Sequence, residues 1–216
     1  MARTIRMCSS MRAAGGLLYF VYTCRQGMCA MHIPTHLMLS WVVGHRLEAR
    51  RDRRLVAWAG VASDLDGLTI LAGMDAYGRW HHVLTHGLLA GVAISLLCSR
   101  WAKDRVKVWW LALTAFHLHL VCDLLGSGAD WPIQYFWPLN STFYYAPYGW
   151  ELDAWQNWLA AIAVMLLCGH LAIRSGHSVA ETVLPAWGDQ AVVAALRQRF
   201  ASVAPLSIAR PRSDIS

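Results

Sequence analysis

Charge is what this chain has least of. Lys, Arg, Asp and Glu make up 15% of its 216 residues, where a soluble domain averages about 25%. A water-facing globule of that length needs more polar surface, which argues against an ordinary soluble enzyme. With 56% hydrophobic residues, disorder is excluded as well. Cysteine occurs six times but never as CxxC, so the thiols read as small buried side chains and not as a zinc knuckle or a disulfide framework. Lys and Arg are missing altogether from 127–153. The net charge of +6 does not indicate a nucleic-acid partner, because the basic residues are bunched. Arg46, Arg50, Arg51, Arg53 and Arg54 form one run and Arg100, Lys103, Arg105 and Lys107 another, each beside an apolar segment. That is how cytoplasmic loops look under the positive-inside rule. What the chain does have is 10 His and 12 Trp. Trp reads as interface anchors, whereas an apolar helix has no need of His.

Three regions follow. Residues 1–30 carry Arg3, Arg6 and Arg12 ahead of a short apolar core and read equally as a signal-like segment or as an extension upstream of a start at Met28 or Met31. Residues 31–180 form the membrane-embedded domain, with apolar segments at 33–44, 55–73, 83–99, 106–126 and 155–173. Residues 181–216 are a C-terminal tail with a short amphipathic helix from Asp189 to Phe200 and a polar end expected to be disordered. The aromatic stretch 127–153 reads as an extracytoplasmic loop whose rings lie at headgroup depth. The expected fold is an all-α integral membrane helical bundle of four or five apolar segments with a polar, metal-binding end.

If both basic runs face the cytoplasm, the polar residues of four segments fall at the opposite end. His36 begins the first segment, Asp64 and Asp66 lie in the second, His81 and His86 open the third, and His119 and Asp123 close the fourth. Intramembrane acids are costly and should face a protein interior or polar cavity. His119 and Asp123, four residues apart, share a helical face and can offer a nitrogen and an oxygen to one ion. Mixed His and Asp donors suit zinc, manganese or iron, and seven of them make room for one or two ions. Such a site acidifies water and polarises an acyl or phosphoryl oxygen, so hydrolysis is the natural reaction class. His117 lies about 200° around the helix from His119 and cannot share its site. His32, His45, His170 and His177 read as packing or polar contacts. Two other readings of the same residues stay open: a structural metal site on a protein that binds a regulator, and an Asp/His relay in a transporter.

The ordered blocks Thr35-His36, Ser63-Asp64-Leu65-Asp66, His81-His82-Val83-Leu84-Thr85-His86, His119-Leu120-Val121-Cys122-Asp123 and Trp137-Pro138 resemble those of the LexA-binding, inner-membrane-associated hydrolase family: TH, PDxD, HRxxTHS, HxxxD and WP. The resemblance covers about residues 31–140. It implies a multi-pass bacterial inner-membrane, metal-dependent hydrolase in which His36, Asp64, Asp66, His81, His86, His119 and Asp123 make the metal site. Ser63, His82 and Gly87 depart from the family's Pro, Arg and Ser. Without that Arg a fixed positive charge for a phosphate is lost, unless His82 substitutes for it. The expectation is therefore a divalent metal, zinc first, on the extracytoplasmic side. The expected substrate is an amphiphilic ester or phosphoester derived from membrane lipid, with Asp64 or Asp66 as general base. A regulatory protein is a further possible partner.

Overall fold

The computed structural model describes residues 32–128 and 131–200. The expectations for residues 1–30 and for the polar end of the tail lie outside them. Among the described residues the chain is all helical apart from loops, with one isolated antiparallel bridge between Ile133 and Tyr144. Five apolar helices run between two ends of a bundle: α1 (His32–Gly44), α2 (Arg50–Val61), α4 (Leu88–Trp101), α5 (Arg105–Gly126) and α6 (Trp155–Ser175). A 3₁₀ segment, Ala62–Ala72, prolongs α2, and the short α3 (Met74–Trp80) follows it. A second 3₁₀ turn (Val179–Thr182) leads to α7 (Ala186–Phe200). Three stretches are long and apolar enough to cross a membrane: Arg50–Ala72, Arg105–Gly126 and Trp155–Ser175. α1 and α4 are shorter, about 20 Å each.

α5 is the central element, packed on α1, α2 and α4. Small residues let these backbones approach, as they do between membrane helices generally. A Cβ on Gly60 would lie 1.9 Å from Ser40 Oγ, and one on Gly91 would lie 2.7 Å from the Phe116 ring. α6 is the outermost span. Only 11% of its apolar window is buried, and Trp158, Leu159, Ile162 and Leu166 face outward as a lipid-facing helix requires.

The two ends of the bundle differ in charge. Of the thirteen Lys and Arg residues in the described segments, twelve lie on the α1–α2 turn, the α4–α5 turn, the end of α6 and α7; Arg79 is the exception at the other end. The basic end is built on two buried acids. Asp52 accepts from the backbone N–H groups of Lys103 and Asp104, both at 2.9 Å, and so ties the two basic turns together. Glu181 accepts Arg53 Nε at 2.6 Å and Nη2 at 2.7 Å, and Trp41 Nε1 at 2.9 Å. A buried bidentate pair of this kind is strong when further partners satisfy the polar groups it takes out of water. Arg53 Nη1 donates to the Leu47 and Glu48 carbonyls, each at 2.8 Å.

Three expectations need correction. The third apolar segment, read as 83–99, is helical only from Leu88, because His82 has a positive φ of 65° and residues 81–87 form turns. The second, read as one stretch over 55–73, changes from α to 3₁₀ at Ala62. The short helix read from Asp189 begins earlier, at Ala186, and Asp189 is buried as the acceptor of Ser178 N–H and Oγ–H.

Candidate metal centre

The end opposite the basic turns gathers all seven residues singled out from the sequence. His36 comes from the first turns of α1, Asp64 and Asp66 from the 3₁₀ segment, His81 and His86 from the turn before α4, and His119 and Asp123 from the last turns of α5. The 3₁₀ winding matters here. Residues two apart diverge by about 120° around a 3₁₀ axis, against about 160° around an α-helix, so Asp64 and Asp66 can both serve one cluster. The carbonyls exposed by the tighter winding have partners: Thr69 Oγ1 donates to Asp66 O at 2.6 Å and Thr85 Oγ1 to Ser63 O. Irregular backbone is tolerated in an apolar setting on that condition.

Four side chains converge as one donor set: Asp64, His86, His119 and Asp123, whose ligand atoms lie within 4.8 Å of one another. His119 Nε2 is 2.9 Å from Asp123 Oδ2 and 3.3 Å from Asp64 Oδ1, while His86 Nε2 is 3.3 Å and 3.7 Å from the same two oxygens. A tetrahedral ion with bonds of about 2.0–2.1 Å has ligand-to-ligand edges of about 3.3 Å, so these four atoms are spaced as such a shell. Moreover, His86 Nε2, His119 Nε2, Asp123 Oδ2 and Asp64 Oδ2 are all buried without a hydrogen-bond partner. Three of these, His86 Nε2, His119 Nε2 and Asp123 Oδ2, are shell atoms themselves, and leaving them unpaired at one point would be costly unless a cation satisfies them together. The donor set therefore fits a divalent ion.

Asp66 is different. Its Oδ1 accepts His81 Nδ1 at 2.8 Å, and its Oδ2 accepts His86 Nδ1 at 2.9 Å and the Thr85 N–H at 3.3 Å. With both oxygens engaged, it fixes the tautomer in which His86 Nδ1 carries the proton and Nε2 turns its lone pair to the donor set. On the far side, His36 Nε2 meets Asp123 Oδ1 at 3.2 Å, and the His36 and His119 rings stack with centroids 3.8 Å apart.

The turn segment adds residues that sequence reasoning left aside. His82 is buried, 4.0 Å from Asp123 Oδ2, with its ring 4.3 Å from that of His86. Its place in the HH pair, four residues before His86, was the available signal. Its Nδ1 hydrogen-bonds to the Trp131 carbonyl at 3.2 Å, and burial holds its imidazole neutral, pushed down to about 3. Tyr77 stacks on His81 at 4.6 Å; burial and the nearby carboxylates push its phenol up to about 12, so it stays protonated. For His86, burial opposes the charged form, but the Asp123 and Asp66 carboxylates beside it prevail and raise it to about 9. The carboxylates of the cluster thus favour a positive charge between them. The aromatic loop closes over the cluster: Leu88 N–H donates to Tyr135 O at 2.8 Å, and Gln134 N–H to His82 O at 3.2 Å.

Bundle and cluster together define an all-α membrane protein with a buried His/Asp centre at one end. The family described as YdjM inner membrane protein matches residues 31–199, and the chain belongs to that family. Comparison with curated proteins and with solved structures gave no match.

Proposed function

We propose that this protein is a membrane-embedded, metal-dependent hydrolase acting on an amphiphilic ester or phosphoester. The observation that carries the reading is a set of three orphaned, buried donor atoms, His86 Nε2, His119 Nε2 and Asp123 Oδ2, with Asp64 Oδ1 at the distances a fourth ligand of one small divalent ion would have. Asp64, His86, His119 and Asp123 are the ligands, and their mixture of nitrogen and oxygen suits zinc, manganese or iron. An ion bound there supplies acidified water and polarisation of the substrate's acyl or phosphoryl oxygen. The chain's own groups do the rest. Asp66 orients His86, and His36 orients Asp123. Of the two acids expected as general base, Asp66 is fully engaged, so Asp64 takes that role, one oxygen toward the ion and the other free to receive a proton. Asp64 is also the most exposed of the four, at 21% of its side chain, and marks the substrate's way in. The concentration of Lys and Arg at the other end supports a site on the extracytoplasmic side.

A structural ion site is the second reading, favoured by the near-complete burial of His86 and His119. Metal analysis of the purified protein, with and without His119→Ala and Asp123→Ala, tests both. One ion per chain, lost in the variants, together with turnover of an ester or phosphoester, supports the hydrolase. One ion with no turnover across esters, phosphoesters and amides favours the structural reading, and no ion in the unsubstituted protein overturns both.

A further inference from the structure

Away from the metal centre, a groove of about 640 Å³ runs down the outside of the bundle between α2 and α4. Its composition changes along its length. At the basic end it is lined by Arg50, Arg51 and Arg54; below them come Leu55, Ala59 and Leu65 on one wall. Ile94, Leu97 and Cys98 form the other. Among the described residues, neither Arg51 nor Arg54 is within salt-bridge distance of a carboxylate, and both are exposed. From Arg54 to Leu65 the groove wall descends about 18 Å, close to the roughly 15 Å hydrocarbon depth of one leaflet. A cationic mouth above an apolar trench one leaflet deep has the polarity and the length of a phospholipid.

We propose that this groove is a binding site for one anionic phospholipid, with its phosphate on Arg51 and Arg54 and an acyl chain lying between α2 and α4. Its ligand is separate from the substrate of the metal centre, since the headgroup sits at the opposite end of α2 from Asp64. An anionic headgroup is selected because its net negative charge offsets guanidiniums that have no acid of their own, where a zwitterionic headgroup brings a cation with its phosphate, and the site holds the lipid by packing as well as by charge.

The full chain purified in mild detergent is exchanged into phosphatidylglycerol or phosphatidylcholine with identical acyl chains, and retained lipid is counted by native mass spectrometry. The expected result is one phosphatidylglycerol per chain, preferred over phosphatidylcholine by at least ten-fold. Arg51→Ala/Arg54→Ala should weaken retention roughly thirty-fold. Leu97→Trp, which narrows the trench at an exposed position and leaves every charge in place, should weaken it too. Lys107→Ala, on the same basic end but outside the groove, should have no effect. Melting midpoints of each variant identify any that fail to fold. Equal retention of both lipids overturns the proposal, as does an effect of Lys107→Ala equal to that of the arginine pair. Competition by glycerol 3-phosphate as strong as by the whole lipid also overturns it, because the trench would then contribute nothing.

Discussion

Asp66→Asn separates an orienting carboxylate from a ligand. In the native arrangement Asp66 accepts three hydrogen bonds, from His81 Nδ1, His86 Nδ1 and the Thr85 N–H. An amide of the same shape keeps one acceptor oxygen but turns an NH₂ toward the other donors, so one imidazole N–H faces another donor. If that imidazole is His86, it must rotate or exchange its proton to Nε2, the atom aimed at Asp64 and Asp123. Loss of a carboxylate behind a ligating His typically costs 10–100-fold in metal affinity, or about 1.4–2.7 kcal/mol. Loss of the charged, buried hydrogen bonds costs about 2 kcal/mol of stability besides. Competition against a chromophoric chelator measures the first quantity, and thermal unfolding in detergent the second. Asp66→Asn should retain one ion per chain at 10–100-fold weaker affinity, while His119→Ala should retain none. Unchanged affinity in Asp66→Asn would refute the orienting role. A fall from two ions to one would show instead that Asp66 ligates a second ion.

Other outcomes follow from the same geometry. Because His86 is raised to about 9, an incoming cation displaces its proton; apparent metal affinity should therefore fall as pH drops below about 9, with proton release measurable by calorimetry in buffers of different ionisation enthalpy. Arg53→Met alone strands the Glu181 carboxylate and should cost about 3–5 kcal/mol of stability, whereas Arg53→Met/Glu181→Leu should recover most of it in thermal unfolding. Gly60→Ala drives a Cβ into Ser40 and should destabilise by about 1–3 kcal/mol, measured the same way. Cysteines introduced at Tyr145 and Arg51 should react with impermeant thiol reagents from opposite sides of the membrane, and labelling from the same side would refute the bundle's polarity.

Much of the centre was legible because its signals are local or statistical. His119 and Asp123 lie one helical turn apart, and the Lys and Arg bias orders four segments without any motif. What was not legible depends on tertiary contact. The division of the acids, Asp64 toward the donor set and Asp66 behind it, comes from the 3₁₀ winding after Val61, and no residue in 62–72 announces that change of period. His82 was passed over because the family pattern selects His81 of the pair; the positive φ at His82 and its approach to Asp123 are tertiary features that no pattern announces. The Arg53–Glu181 pair joins residues 128 apart, beyond the reach of any periodicity. Glu181 lies in what reads from sequence as a tail, yet its side chain is fully buried.

The bundle makes five traverses between its ends, and an odd number has a consequence of parity. α1 starts at the face that holds the His/Asp cluster, and α7 lies against the face that holds the arginines. Whatever joins the described segment before His32 and whatever joins it after Phe200 therefore do so from opposite faces. Reporters placed directly before His32 and directly after Phe200 should therefore report different compartments, so a tag that folds at one of these positions need not fold at the other. A soluble partner confined to one compartment can reach the approach to the metal centre or α7, but not both.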